Sequence, residues 1–205
     1  MNTPWIDHSG IVAPMMDDNI NTDAIIPSRE MKRVSKKGLA DGLFANQRYL
    51  DTQRDPNPDF ILNQAPFTKA TILLFGANAG CGSSREHAVW ALKDFGIRAV
   101  VAESFASIFQ ANCIANGILP IALPRDQVRA MAQWVEVDPA AHHVAIRLEQ
   151  KTIGFDGREI PFEIADNPRR MLLNGVSPID ETLVFRKEID GFFNQDRARR
   201  PWLYS

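Results

Sequence analysis

The chain has 205 residues, 45% hydrophobic and 23% charged, which suits one buried core and excludes extensive intrinsic disorder. Its 25 acidic and 23 basic residues nearly cancel, arguing against nucleic acid or an anionic membrane as the main partner. No stretch approaches the ~18–20 apolar residues of a membrane span and no signal-peptide core opens the chain, so a cytoplasmic protein with no membrane partner is expected.

In chain order, Gly10-Ile11-Val12-Ala13-Pro14-Met15 reads as a strand leading into the polar turn Asp17-Asp18-Asn19-Ile20-Asn21-Thr22-Asp23. Residues 28–58 are rich in charge and glycine with little periodicity, and are expected to form a mobile loop region tied to specificity. Thr71-Ile72-Leu73-Leu74-Phe75 predicts a strand buried on both faces, ended by Gly76. Beyond a small-residue turn, Ala88, Ala91, Leu92 and Phe95 at spacings of three and four predict a helix stopped by Gly96. Residues 98–102 read as a second strand. Ser104 stands where it could cap a helix with the stripe Phe105, Ile108, Phe109 and Cys113, closed by Gly117. Residues 118–123 supply a third strand, and this order predicts parallel strands with right-handed crossovers.

Towards the C-terminus, Val144, Ile146 and Leu148 alternate with other residues, as do Ile160, Phe162 and Ile164, with Asp156-Gly157 as a hairpin turn between them. Residues 167–175 predict a short helix with Pro168 in its first turn. Residues 194–205, with Arg197, Arg199, Arg200 and Trp202, read as a tail, either solvated or docked on a partner. The expected fold is α/β: one domain over residues 1–205, a mixed sheet whose parallel core strands are flanked by helices.

The chemistry concentrates in Gly80-Cys81-Gly82-Ser83-Ser84-Arg85-Glu86-His87. A loop running from a buried strand into a helix points backbone N–H groups outward, where the helix dipole adds partial positive charge. Gly80 and Gly82 would let a ligand approach the backbone, Ser83 and Ser84 add hydroxyls, and the planar fork of Arg85 matches a carboxylate. The pattern has neither the Gly-Lys-Ser/Thr ending of a P-loop nor the dinucleotide fingerprint. On local pattern alone, a small-anion site and an ordinary turn with Ser83 or Ser84 as helix cap are equally good readings. His87 reads as a packing residue and Asn112 as a satisfied buried hydrogen bonder. Two cysteines, Cys81 and Cys113, and four scattered histidines lack ligand spacing, so no metal is expected on this chain.

The octapeptide resembles the swivelling-domain signature of the aconitase superfamily, and the chain more closely resembles the small subunits of 3-isopropylmalate dehydratases. The resemblance extends through Asn21-Thr22-Asp23-Ala24-Ile25-Ile26-Pro27, Pro56-Asn57-Pro58-Asp59-Phe60, Ser104-Phe105-Ala106, Asn116-Gly117-Ile118-Leu119-Pro120 and Arg169-Arg170-Met171-Leu172-Leu173-Asn174-Gly175. It implies a swivelling β/β/α domain and a hydro-lyase that isomerises 2- and 3-isopropylmalate in leucine biosynthesis through an unsaturated intermediate. By the same resemblance Ser83 is the catalytic serine that exchanges the proton on carbon. Ser84, Arg85, Thr22, Asp23 and Arg29 are the expected substrate-binding residues, Arg29 from the specificity loop. The family's [4Fe–4S] cluster with an open iron site needs three thiolates, which implies a cluster-bearing large subunit as partner and a small dicarboxylate as substrate. Departures from close relatives fall at Ser28-Arg29-Glu30-Met31, Lys36-Lys37-Gly38, Ala79 and Pro168. They keep open a paralogous hydro-lyase for a citraconate-, dimethylmaleate- or aconitate-like acid, and beyond it a non-catalytic dicarboxylate-binding module.

Overall fold

Strand direction divides the fold into two four-stranded sheets. The structure is a computed structural model and describes residues 2–31 and 35–204. Its strands are β1 (His8–Gly10), β2 (Val12–Met15), β3 (Ile72–Phe75), β4 (Ala99–Ala102), β5 (Leu119–Ala122), β6 (Val144–Arg147), β7 (Thr152–Phe155) and β8 (Arg158–Pro161). One sheet is parallel with order β2-β3-β4-β5, and the other is antiparallel with order β1-β6-β7-β8. The α/β class and the parallel core strands agree with the sequence reading. The parallel and antiparallel strands do not share one mixed sheet, however. The run at residues 10–15 is divided, β1 joining β6 and β2 joining β3.

The helices are α1 (Thr22–Ile25), α2 (Ala45–Arg48), α3 (Glu86–Phe95), α4 (Ser107–Ala115), α5 (Arg125–Val137), α6 (Asp166–Asn174), α7 (Pro178–Leu183) and α8 (Arg186–Arg199). Every residue of β3 and β4 is buried, as the unbroken apolar runs require of strands covered on both faces. α3 packs on α1 and α4, while α5 packs on β2 and β3. Gly96 ends α3 where a glycine stop was expected, and Gly175 likewise ends α6, both in the left-handed region.

Several expectations need correction. Ser104 does not cap α4, whose N-cap is Ala106 without a side-chain bond. Ser104 instead accepts the N–H of Asn78 on its hydroxyl, at 2.8 Å, and that of Ala79 on its carbonyl, at 2.9 Å. Asp156-Gly157 does form a positive-φ hairpin turn, but it joins β8 to β7, a strand absent from the sequence reading. α5, α7 and α8 were also missed. Within residues 28–58, positions 32–34 lie outside the described residues. Positions 39–48 are folded against α3: the amides of Leu39 and Ala40 donate to Asp94 Oδ2 at 2.8 and 2.9 Å, and Leu39, Leu43 and Phe44 are fully buried. Of the segment at residues 194–205, position 205 lies outside the described residues and positions 194–204 are not a free tail. It continues α8 into a 3₁₀ turn, Pro201–Leu203, and Asp196 ties it back by accepting from Arg200 and from the Tyr204 hydroxyl at 2.7 Å.

Candidate active site

Because the register places Met15 beside Phe75 and Phe75 beside Ala102, the loops leaving β2, β3 and β4 emerge at one edge of the parallel sheet. In open parallel sheets this carboxyl edge is where ligands bind. Single bridges carry the pairing past the strand ends, Asn21 beside Cys81 and Ala79 beside Phe105. Backbone bonds lock the three loops together: Gly80 N–H to Ile20 at 2.7 Å, Thr22 N–H to Cys81 at 2.9 Å and Ala106 N–H to Ala79 at 3.0 Å. Residues 19–23, 78–85 and 104–106 thus form one platform, on which α3 begins.

The N-cap of α3 is Arg85, and no side chain caps the helix. This removes the reading of Ser83 or Ser84 as a structural cap: both are exposed, neither hydroxyl makes a hydrogen bond among the described residues, and the Ser83 carbonyl accepts from Thr22 Oγ1 at 2.9 Å and Arg85 N–H at 2.7 Å. Thr22 is almost fully buried beneath the turn. Arg85 is ion-paired with Asp23 through one guanidinium nitrogen. An ionised Asp23 can only accept, so it cannot bind a carboxylate; it can hold the Arg85 fork in place.

A cavity of about 80 Å³ opens here, lined on the turn side by Thr22, Gly82, Ser83, Ser84 and Arg85. Its far wall comes from α4 through Ser107, Ile108, Phe109 and Asn112. Gly80 also lines it, but its main reason is packing: at φ +73° a Cβ would overlap the Phe109 ring. Asn112 departs from the sequence reading. It is half-buried at the cavity wall and its amide makes no hydrogen bond among the described residues, whereas Asn116 is the buried, fully engaged one, bonded to Glu86, Lys36 and the Asn112 carbonyl. Asn112 lies four residues after Ile108, so the same helical face that suggested core lines the site. His87 is a packing residue, its ring 4.5 Å from that of Trp90. Arg29 is not brought to the turn; it hydrogen-bonds Asn46 and lines a separate recess with Tyr49 and Arg54.

The cysteines do not fit an iron–sulfur cluster. Cys113 is fully buried and burial pushes its thiol well above the usual range, while Cys81 Sγ donates to the Asn19 carbonyl at 3.4 Å. Among the described residues no three His, Cys, Asp or Glu side chains converge as a metal would need. No described helix is long and apolar enough to cross a membrane.

Residues 2–126 match the aconitase C-terminal domain family. The chain is 52% identical over 203 residues to the 3-isopropylmalate dehydratase small subunit of Cupriavidus necator, covering 98% of each. The chain belongs to the 3-isopropylmalate dehydratase small-subunit family. The small subunit of Dinoroseobacter shibae is 48% identical over 200 residues, covering 95% of this chain and 96% of its own. The crystal structure of a 3-isopropylmalate dehydratase from Methanocaldococcus jannaschii superposes with a TM-score of 0.64 at 28% identity, over 91% of this chain and 98% of that one. The relatives' designation as small subunits implies a large-subunit partner.

Proposed function

We propose that this chain is the substrate-gripping half of a hydro-lyase that interconverts 2- and 3-isopropylmalate in leucine biosynthesis, active only with a cluster-bearing large subunit. The observation that carries the reading is the exposed Ser83 hydroxyl, held on a locked turn at the N-terminus of α3 beside an oriented Arg85. The ~300 Å³ lower end of enclosed small-ligand sites exceeds this cavity of about 80 Å³, which supports a site completed by another chain. A reducing, cytoplasmic setting suits two free thiols.

In this reading Arg85, aimed by Asp23, takes one carboxylate of the substrate through its fork, and Ser84 and the first free N–H groups of α3 add hydrogen bonds. Ser83 exchanges the proton on carbon. A serine hydroxyl is a poor base near neutrality, so its alkoxide needs the positive potential of the helix terminus and Arg85 in a site closed from water. Asn112, at the cavity wall with an amide that bonds no other described residue, is placed to touch the substrate. The single domain over residues 1–205 and the specificity role of residues 28–58, Arg29 included, belong to the same proposal.

Reconstitution with the large subunit tests it. Ser83→Ala is expected to abolish interconversion of the isopropylmalates, followed by absorbance of the unsaturated intermediate, while the two subunits still copurify. Near-normal turnover would sink the assignment of Ser83. Exclusive turnover of citraconate, dimethylmaleate or aconitate in the same assay would reject isopropylmalate as substrate.

A further inference from the structure

Three polar side chains are buried among the described residues: Thr22, Asp196 and Asn116. Thr22 supports the active-site turn, and Asp196 locks the C-terminal segment. Asn116, only 3% exposed, stands at the end of α4, but stopping the helix does not require it. Its φ of −101° is open to other residues, and the left-handed position of the stop is Gly117, at φ +79°. What calls for asparagine is the set of groups around its amide. Nδ2 donates to Glu86 Oε1 at 2.8 Å and to the Asn112 carbonyl at 2.9 Å, while Oδ1 accepts from Lys36 Nζ at 3.2 Å. An ionised carboxylate and a carbonyl only accept and an ammonium only donates, so the neighbours fix the amide in this one orientation.

The three partners belong to the surroundings of the reaction site. Glu86 directly follows Arg85 at the start of α3, on the turn side of the cavity, and Asn112 stands in the far wall on α4. Lys36 comes from the segment proposed to carry specificity, which lies along the Glu86, Trp90 and Asp94 face of α3. Its Nζ is 4.9 Å from the centre of the Trp90 ring, and the amides of Leu39 and Ala40 reach Asp94. We infer that Asn116 is a positioning residue: its buried amide holds the Arg85 turn at a set distance from the α4 wall and joins Lys36 of the specificity segment to the same point. Asn116 does not line the cavity itself. The inference rests on the hydro-lyase reading above and adds how the two walls of its substrate site are kept in register. Misplacing a binding group by about 1 Å can cost on the order of 100-fold in rate, so such a tie acts on turnover without touching substrate.

The test is steady-state kinetics of the complex reconstituted with the large subunit, with KM and kcat for 3-isopropylmalate measured separately. Glu86 is partly exposed, so Glu86→Leu removes the acceptor without entering the core. It should raise KM on the order of 10-fold, with a smaller change in kcat and unchanged affinity for the large subunit. Glu86→Gln keeps an oxygen for Asn116 Nδ2 and should bring KM back to within a few-fold of wild type. Both variants lose the charge, so their difference isolates the hydrogen bond. Asn116→Asp sets two carboxylates against each other and should raise KM at least as far. Asn116→Asp/Glu86→Gln, in which amide and carboxylate change places, should recover most of the loss. Should Asn116→Asp fail to fold, the two Glu86 variants decide. A merely structural tie would lower the melting temperature and the active fraction but leave KM of the folded enzyme at its wild-type value. That result, or equal KM in Glu86→Leu and Glu86→Gln, would overturn the inference and leave the hydro-lyase reading intact. No turnover of either isopropylmalate by the wild-type complex would overturn that reading, and the inference with it.

Discussion

At position 80 the backbone lies at φ +73° and the Phe109 ring fills the space a side chain would take. Gly80→Ala therefore meets both left-handed strain and overlap with a ring that is itself nearly fully buried. It is expected to lower stability by roughly 2–4 kcal/mol in urea unfolding, a value at the upper end for one substitution. A loss under about 1 kcal/mol would show that Phe109 can move aside. The sequence marked Gly80 correctly but for another reason, close approach of a ligand. At this scale the octapeptide was legible because several residue types with one chemistry stand together. Ser104 and Asn112 were misread because a hydroxyl before a helix and an amide on an apolar face each have two uses, and only the neighbours decide between them.

Among the elements, β1 carries a histidine whose titration bears on its stability near neutral pH. His8 Nε2 shares a 2.8 Å hydrogen bond with Thr71 Oγ1, and the missing side chain of Gly10 leaves the room for it. Burial, then the nearby Arg98 charge, lowers the His8 pKa from its ordinary 6.5. The neutral ring is thus favoured in the fold, and the unfolded chain takes the proton more readily. Stability from this group is fully present above pH 6.5 and is lost as pH falls below it, until the folded-state pKa is passed. Urea midpoints measured between about pH 7.5 and 5 should fall for the wild type and fall less for His8→Gln. Equal slopes in the two proteins would place the titration elsewhere. The elements read best from sequence were the buried strands β3, β4 and β5, where unbroken apolar runs leave no choice of face. α7 and α8 were missed although Phe185, Ile189, Phe192 and Phe193 stand at the i, i+4, i+7, i+8 spacing of a helix. α5 was missed although Val128, Met131, Ala132 and Val135 form its buried stripe.

For the whole molecule, the site is open on one side. A cavity of about 80 Å³ against a ligand-sized need of ~300 Å³ leaves most of a dicarboxylate in water, where one ion pair contributes little. Calorimetry of the isolated chain with isopropylmalate should therefore find binding of about millimolar strength or weaker. A micromolar constant without the large subunit would contradict a half-site. The sequence by itself determined the parallel βαβ core, the turn at residues 80–87 and the lack of cysteines for a cluster, because strand burial, local turn chemistry and ligand counting are properties of short segments. Only the tertiary structure decided that Asp23 meets Arg85 across 62 positions, that α4 supplies the far wall of the cavity and that α8 stands with its apolar face exposed. Those facts depend on which loops the sheet register brings to one edge and on which faces the core leaves uncovered, and neither is written in any single segment.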